Sequence, residues 1–357
     1  MAVTDTDELL SVRAAEMYYD ENLTQDEIGT ALHLTRWKVG RLLAQARAQG
    51  IVRIEIVHPR ARRVLVEREL RDRFALRDVV VVSSAGVAGD AELQRRVAQA
   101  AADFLTALRP VPPTLGVSWG RTMSDVAACL PVGWARGVGV VQINGGLSLT
   151  PSGSPAAATA MTIAQKAAGS AHVLPIPAIL EHVETKRGIE RDRAVAGVLD
   201  RAAHASAYLF SAGEATDNSA LVVSGYLAPE DVKVLVGKGA VGDVVGRFIG
   251  ADGYPVDANL DSRTVGLDIE ALRSAETSIA VVSGEGKHAV TRALVTSGIC
   301  SILVTDDRTA GYLLANSDGE SGEATQDDAA QNDEQPDEAL QNQVLQNEGR
   351  QMRNGTR

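Results

Sequence analysis

Between about residues 79 and 314, short apolar runs rich in β-branched residues alternate with amphipathic segments, and this alternation limits the fold more than any other feature. The runs that predict strands are VVVV from Val79, TLGVS from Thr114, GVGVVQI from Gly137, AHVLPI from Ala171, ASAYLF from Ala205, RTVGLD from Arg263, TSIAVVS from Thr277 and CSILVT from Cys300. Helices are predicted between them, for example over residues 91–108, 189–203 and 287–296. Apolar strands that alternate with helices are typical of a parallel sheet covered on both faces, so an α/β domain is predicted.

Three further zones flank this α/β domain, whose predicted limits are residues 79–315. Residues 1–59 predict helices followed by a short strand, and residues 60–78 predict an amphipathic connecting helix. The apolar positions of the connecting helix are Val64, Leu65, Leu70 and Phe74. Residues 316–357 are rich in Gln, Asn, Asp and Glu and almost free of apolar side chains, so we expect a disordered acidic tail.

Composition excludes several classes of protein. No apolar run approaches the roughly 18 to 20 residues of a membrane span, and the acidic start of the chain does not resemble a secretion signal. We therefore expect a cytoplasmic protein without a membrane partner. Cys129 and Cys300 are the only cysteines, and the six histidines show no metal-ligand spacing. No disulfide, metal site or cofactor is predicted.

The distribution of charge matters more than the net charge of −11. Residues 316–357 contain ten acidic and three basic residues, which supply −7 of it. Residues 29–63 contain eight Arg or Lys against the single acid Glu55. A local basic segment of this kind is what attraction to nucleic-acid phosphates requires.

Two capped helices separated by a short turn are predicted in this region. Thr24 and Glu27 form a capping box at the start of the first helix, and Thr35 can cap the second. The inward face of the first helix is predicted to be Ile28, Ala31 and Leu32. The inward face of the second is predicted to be Val39, Leu42, Leu43 and Ala46. This order of elements is that of a helix-turn-helix motif.

The outward side chains of the second helix fit a helix that enters the major groove. Arg36 and Arg41 can bond guanine edges, and Lys38 can bond a phosphate. Trp37 can pack on a thymine methyl group or a sugar. Residues 51–57 alternate as a strand and predict a wing, whose Arg53 can meet a phosphate. The predicted contacts with double-stranded DNA are Thr24, Gln25, Thr35, Arg36, Trp37, Lys38, Arg41 and Arg53.

Two points in this segment stay open at the level of sequence. The basic residues can instead form only the solvated face of an ordinary α-hairpin. Gly40 lies within the second helix, where glycine is about 1 kcal/mol less favourable than alanine. Close approach of the backbone to DNA or to the partner helix would explain a glycine at this position. The alternative is that the helix simply tolerates the glycine.

Over residues 8–315 the chain resembles the SorC/DeoR-type sugar-binding transcriptional regulators. The N-terminal pattern corresponds to residues 23–25, 35–36 and 39–43. The C-terminal pattern corresponds to LGVSWGRTMSDVA from Leu115, VVQINGG from Val140, GAVGDVVGRFI from Gly239, SGEGKHAVTRAL from Ser283 and ILVTDDRTA from Ile302. The resemblance implies a Rossmann-like effector domain, similar in fold to sugar-phosphate isomerases and acyl-CoA transferases, and a homo-oligomer, either a dimer or a tetramer.

Polar residues and glycines follow successive predicted strands. Gly120, Arg121 and Thr122 lie where a strand enters a helix, whose free backbone N–H groups can hold a phosphate or carboxylate. Asn144, Gly145 and Gly146 follow the next strand, where an amide can bond sugar hydroxyls and a ligand can approach the backbone. Ligands bind at the carboxyl ends of parallel strands, so both loops are predicted to lie at the effector site.

Later segments supply Gly213, Asp243 and Lys287, which complete the predicted effector site. An aspartate suits sugar hydroxyls and a lysine suits an anionic group. Each glycine alone can instead serve a tight turn. Ser211 and Ser283 stand where the family often has glycine, so the identity of the ligand is not carried over from any relative.

The sequence therefore predicts a transcriptional regulator controlled by a sugar, polyol or sugar phosphate. The first alternative is a sugar-phosphate isomerase-like enzyme with an accessory helix-turn-helix, in which Lys287 and Asp243 act as an acid–base pair. No nucleophile elbow or Walker loop accompanies them in the sequence, so we predict no enzyme and no catalytic residues. The second alternative is an interaction protein whose basic helix binds an acidic partner.

Overall fold

The computed structural model describes residues 5–52, 62–146 and 156–316. The chain divides into two units, residues 1–315 and 316–357, and the description concerns the first. Residues 53–57 of the predicted wing, including Arg53, and the predicted acidic tail beyond residue 316 lie outside the described residues. No helix in the described ranges is both long enough and apolar enough to span a bilayer.

The helices and strands follow one another along the chain as predicted for an α/β protein. The helices are α1 (Asp5–Tyr19), α2 (Gln25–Leu32), α3 (Arg36–Ala48), α4 (Val64–Phe74), α5 (Asp90–Ala107), α6 (Arg121–Cys129), α7 (Ala156–Lys166), α8 (Val183–Glu190), α9 (Arg193–Ala203), α10 (Ala220–Val223), α11 (Pro229–Gly237), α12 (Ala258–Arg263), α13 (Ile269–Arg273), α14 (His288–Thr296) and α15 (Asp307–Ala315). The strands are β1 (Asp78–Val82), β2 (Thr114–Val117), β3 (Gly139–Gln142), β4 (Ala171–His172), β5 (Ala207–Phe210), β6 (Ala212–Gly213), β7 (Gly242–Val244), β8 (Arg247–Ile249), β9 (Ser278–Val281) and β10 (Ile302–Asp306).

Seven strands form one parallel sheet in the order β1-β10-β9-β5-β2-β3-β4. From β2 the chain proceeds outward to β3 and β4, and from β5 it proceeds in the opposite direction to β9 and β10. The strand order therefore reverses between β2 and β5. In doubly wound sheets this reversal opens a crevice at the carboxyl ends of the two strands.

Side chains alternate along the strands between two apolar cores, one on each face of the sheet. In β1, Val79 and Val81 contribute to the core beneath α4, α14 and α15. Val80 and Val82 contribute to the opposite core, beneath α5, α6 and α7. Burial on both faces explains why these strands are apolar throughout, and it confirms the predicted parallel sheet with helices on both faces.

One predicted strand is absent from the structure, and another is shorter than predicted. RTVGLD from Arg263 forms no strand, because Asp257 caps α12 by accepting from the Leu260 amide and the helix extends to Arg263. Gly266 then adopts a φ of 117°, which is incompatible with a regular strand. AHVLPI yields only the two residues of β4, since Pro175 lacks the amide that a longer ladder would need.

The helix predicted over residues 189–203 is also wrong in its limits. It is divided between α8 and α9, because Asp192 caps the second helix by accepting from the Ala194 amide at 2.9 Å. The sequence analysis missed a second sheet, the antiparallel order β6-β7-β8. Its β7–β8 turn contains Val245 and Gly246, with φ values of 49° and 87°. A β-branched residue rarely adopts a positive φ, so this turn lacks the usual hairpin signature.

The first three helices enclose an apolar cluster of their own. The predicted inward residues of α3, Val39, Leu42, Leu43 and Ala46, are all buried, as predicted. In α2 the prediction for Ala31 was wrong, because Ala31 is exposed whereas Ile28 and Gly29 are buried. A Cβ at Gly29 would lie 2.7 Å from the Leu34 carbonyl oxygen, so the turn packs directly on this face of α2.

Within the predicted limits 60–78 the structure has the shorter helix α4, Val64–Phe74, and its apolar face differs from the predicted one. Leu70 is fully buried, whereas Leu65 is 85% exposed and Val64 is 66% exposed. Glu67, a charged residue, is buried in their place. Its side chain is held by the segment that precedes the helix, as described below.

Candidate functional site

A cavity of about 120 Å³ opens at the carboxyl ends of β2 and β5, where the strand order reverses. Seven of the nine residues predicted for the effector site line it: Gly120, Arg121, Thr122, Asn144, Gly213, Asp243 and Lys287. They come from segments far apart in sequence that meet because parallel strands end at the same edge of the sheet.

The start of α6 forms one wall of this cavity. Gly120, the residue before the helix, has a φ of 128°, which favours glycine, and no side chain caps the first turn. Thr122 is buried within that turn. The first N–H groups of a helix have no partner inside the helix and carry partial positive charge, so they can bind an anion.

Asn144 contributes an unsatisfied acceptor to the same cavity. Its side chain is buried, and its Oδ1 atom has no hydrogen-bond partner among the described residues. Gln142 fixes the neighbouring backbone, since its Nε2 atom donates to the Asn144 carbonyl at 2.8 Å. A buried acceptor left without a donor costs roughly 1–3 kcal/mol, and a hydroxyl of a bound ligand would remove that cost.

Asp243 lies in β7 with its carboxylate against Gly213. A Cβ on Gly213 would collide with Oδ1 of Asp243, so this glycine makes room for the carboxylate. The Gly246 amide donates to Oδ2 at 3.2 Å. Burial raises the pKa of Asp243 to about 6, against the opposing effects of the Gly246 hydrogen bond and the charge of Lys287.

Lys287 supplies a cation at the start of α14. Its ammonium group makes no hydrogen bond or ion pair with the part of the chain that the structure describes. Burial lowers its pKa, while the charges of Glu214 and Asp243 raise it. Glu214 lies against Gly286, where a Cβ would approach its carboxyl carbon to 2.6 Å. Lys287 is therefore available to a ligand.

A second cavity, of about 480 Å³, adjoins the first. The two share the side chains of Gln94, Arg121, Glu214 and Lys287. Ser211 lines the first cavity and Ser283 lines the second, so both departures from the family pattern lie at this site.

Gly145 and Gly146 lie behind the wall rather than among the residues that line either cavity. A Cβ on Gly145 would collide with the Pro177 carbonyl, and one on Gly146 would lie 2.8 Å from Nε1 of Trp119. Trp119 itself lines the first cavity, and sequence reasoning missed it although it directly precedes Gly120. Reasoning from sequence also missed the polar loop after β6, which contributes Glu214, Thr216, Asn218 and Ser219.

The N-terminal helices and their caps carry seven of the eight residues predicted to contact DNA, and the eighth, Arg53, lies outside the described residues. The capping box of Thr24 and Glu27 is present, and Thr35 accepts from the Lys38 amide at 3.3 Å. Gln25 is half-buried at the start of α2. A Cβ on Gly40 would meet its Oε1 atom at 3.4 Å, so close approach of the two helices occurs at this glycine.

The outer face of α3 is open to solvent. Trp37 is 73% exposed, and the Arg41 guanidinium lies 5.3 Å from the centre of its ring. Arg36 and Asp26 form an exposed ion pair at 3.5 Å. Such a pair contributes little to stability and is readily exchanged for another partner.

The segment before α4 is fixed to the edge strand β1. Arg62 donates to both carboxylate oxygens of Glu67, at 2.8 and 2.9 Å, and also to the Val79 carbonyl. Glu67 in turn accepts from the Val81 amide at 2.9 Å. Arg63 donates through its backbone amide to the Val81 carbonyl.

The side chain of Arg63 extends this attachment to the first residue of α15. It donates to Asp307 at 3.3 Å and to the Ser83 hydroxyl at 3.0 Å. The neighbouring Asp306 is buried, lines the second cavity and accepts from the Gly284 amide at 3.1 Å. Two adjacent carboxylates therefore lie between the cavity wall and the connecting segment.

Comparison with known proteins relates the chain to bacterial regulators. The family described as "Putative sugar-binding domain" matches residues 59–315. The deoxyribonucleoside regulator of Bacillus subtilis (strain 168) is 30% identical over 310 residues, covering 85% of this chain and 97% of the relative. The sorbitol operon regulator of Klebsiella pneumoniae is 28% identical over 311 residues, covering 85% of this chain and 97% of that relative. The crystal structure of full-length SorC from that organism superposes with a TM-score of 0.65 at 26% identity, covering 88% of this chain and all of that one.

Proposed function

Because the chain belongs to the sugar-binding domain family, we propose that it is a DNA-binding transcriptional regulator controlled by a sugar, polyol or sugar-phosphate effector. The observation that carries the proposal is the cavity at the reversal of strand order, with its unpaired acceptor, its available cation and its uncapped helix start. Asn144 and Asp243 can accept from sugar hydroxyls. The start of α6 and Lys287 can hold an anionic substituent.

The relatives support the regulatory half of the proposal. They are named a deoxyribonucleoside regulator and a sorbitol operon regulator, and we infer a corresponding role here in the use of a carbohydrate. The chain then comprises a helix-turn-helix DNA-binding domain (1–59), a connecting helix (60–78), an effector domain (79–315) and an acidic tail (316–357). As a homo-oligomer, it would present several DNA-binding domains to one operator.

In this proposal α3 enters the major groove. Arg36, Trp37 and Arg41 are exposed near its start, where a recognition helix contacts base edges. The neighbouring contacts we propose are Thr24, Gln25, Thr35, Lys38 and Arg53. In this arrangement, contacts with phosphates would supply affinity for DNA, and contacts of Arg36 and Arg41 with base edges would supply sequence specificity.

Effector binding can act on DNA affinity only by favouring one of two arrangements of the molecule. The attachment of Arg63 to Asp307, beside the second cavity, offers a physical connection between ligand and linker. An isomerase-like reaction of Lys287 with Asp243 is the other candidate. The names of the relatives favour the regulator over it.

The proposal is tested by fluorescence anisotropy with the full chain and a DNA fragment from upstream of its own gene. We expect binding that weakens steeply with salt, as phosphate contacts require, and that changes on addition of one sugar or sugar phosphate. A thermal-shift panel of pentoses, hexoses, polyols and their phosphates identifies that effector. Failure to bind any upstream fragment at low ionic strength, with and without sugars, would refute the proposal.

A further inference from the structure

We propose that Trp119 is an aromatic platform and that the effector is a closed-ring sugar, bound with its apolar face on the indole. The inference rests on the proposed function, since it takes the cavity beside Gly120 as the effector site. It adds the form in which the sugar binds and the residue that selects this form.

The indole of Trp119 is held by the backbone behind it. Its Nε1 atom donates to the Gly145 carbonyl at 2.7 Å. Gly146 packs against the same edge of the ring, where a Cβ would lie 2.8 Å from Nε1 and 2.9 Å from Cδ1. Two consecutive glycines thus fix the indole, and their role differs from the direct ligand contact expected from the sequence.

The same hydrogen bond determines what the indole can offer a ligand. Tryptophan has one polar group, the Nε1–H, and here that donor is already used. Trp119 can therefore present only carbon surface to the cavity that it lines. It is the one aromatic side chain among the described residues of that lining, and apolar Leu221 both lines the cavity and belongs to the core cluster against which Trp119 packs.

Twelve of the nineteen other residues that line the cavity are polar or charged. Asn144 and Asp243, whose side chains contain acceptor atoms, line the cavity together with the cationic Lys287. A closed sugar ring matches a cavity with one aromatic surface and many polar groups. Its hydroxyls point outward from the ring, while its C–H bonds form an apolar face. The slightly positive hydrogens of that face are attracted to the negative face of an aromatic ring. An open-chain polyol has no continuous apolar face to offer.

The experiment compares each ring-forming sugar with the polyol obtained by reducing its aldehyde group, which cannot close to a ring. The full chain is titrated by calorimetry with D-glucose 6-phosphate against D-sorbitol 6-phosphate, with D-ribose 5-phosphate against D-ribitol 5-phosphate, and with the unphosphorylated pairs. We expect the ring-forming member of at least one pair to bind about tenfold more tightly, the factor that an aromatic contact of this kind supplies. In Trp119→Ala this preference should disappear, while Trp119→Phe should keep most of it.

Two further variants separate the platform from a structural effect. Trp134→Phe is the matched control, because Trp134 is buried elsewhere, donates to the Ile163 carbonyl and does not line the cavity. Its ring preference should equal that of the unaltered protein. Gly146→Ala should displace the indole and reproduce the loss seen in Trp119→Ala. Thermal unfolding without sugar confirms that each variant is folded.

A second readout does not depend on affinity. The sugar should change the tryptophan fluorescence of the unaltered protein and of Trp134→Phe, but not that of Trp119→Phe. Equal or tighter binding of the polyols, or a ring preference that survives in Trp119→Ala, would overturn the inference and leave the proposed function intact. If no sugar, polyol or phosphate binds at all, the effector half of the proposed function fails together with the inference.

Discussion

The Arg63 guanidinium lies 3.3 Å from the carboxylate of Asp307, a residue 244 positions later in the chain. Asp306 next to it accepts from the Gly284 amide in the wall of the second cavity. The last residue of β10 therefore contacts the loop that carries Lys287, and the next residue, the first of α15, contacts the segment that leads to the N-terminal helices.

Arg63→Ala should weaken the effect of the effector on DNA affinity without abolishing either binding event. The reason is that the ion pair connects the segment before α4 to the start of α15, which directly follows the strand that ends beside the second cavity. The measurement is the affinity for the operator with and without effector. The ratio of these two affinities should be severalfold closer to one in the variant than in the unaltered protein. Arg68→Ala is the matched control, since Arg68 lies on α4 in an exposed pair with Asp72. An unchanged ratio in Arg63→Ala would exclude this route.

Asp243 should make stability depend on pH in a definite direction. Its pKa is about 6 in the folded protein and near 3.8 in an unfolded chain, so between these values the folded state retains a proton that the unfolded state releases. Stability should therefore fall as the pH rises from about 4 to about 6 and then level off. Relative to Asp243→Asn, which cannot titrate, the loss should be roughly 2 kcal/mol.

Urea unfolding across this pH range measures the difference between the two proteins. Asp217→Asn serves as a control, because Asp217 is exposed. Parallel pH profiles for the unaltered protein and Asp243→Asn would show that this carboxyl group does not titrate as described.

Arg36→Ala should weaken operator binding by about 1–3 kcal/mol and relax base preference at one position, as loss of a bidentate contact with guanine requires. Ligand-induced thermal stabilisation should be unaffected. The check is anisotropy with single-base operator variants. Arg187→Ala, an exposed arginine of α8 paired with Glu184, should leave DNA affinity unchanged. Equal affinity of Arg36→Ala for the operator would remove Arg36 from the interface.

Lys287→Ala should abolish the effector response while DNA binding persists, because the variant lacks the cation available to an anionic ligand. The ligand-induced rise in unfolding temperature should be lost. Lys233→Ala, which removes an exposed lysine from α11, should retain it. A normal thermal shift in Lys287→Ala would show that the ligand does not depend on this ammonium group.

The parallel sheet could be predicted because burial on both faces leaves a pattern in each strand. Residues 79–82 are all valine, and a short apolar run between predicted helices is typical of a strand that is buried on both faces of a parallel sheet. The β7–β8 hairpin could not be predicted, because Val245 occupies a turn position at which glycine, asparagine or aspartate is usual. The side chain of Val245 is nevertheless buried in the core at this turn.

The candidate site shows a similar division. Residues at the starts of helices that follow strands, such as Thr122 and Lys287, were identifiable because parallel strands end at the same edge of the sheet. The role of Gly145 was not, since it depends on the Pro177 carbonyl, which is distant in sequence. Trp119 could have been noticed because it directly precedes Gly120, but a single tryptophan in a sequence is as easily assigned to the hydrophobic core as to a binding site.

The attachment of the connecting segment to β1 has a consequence for self-association. An outer strand normally leaves a row of amides and carbonyls that a strand from another copy can adopt. Here the amides of Val79 and Val81 donate to Asp78 and Glu67, and their carbonyls accept from Arg62 and Arg63. The outward amides and carbonyls of Val79 and Val81 in β1 are all satisfied, so a strand of a second copy cannot lengthen the sheet beyond them, and any self-association would use side-chain surfaces instead.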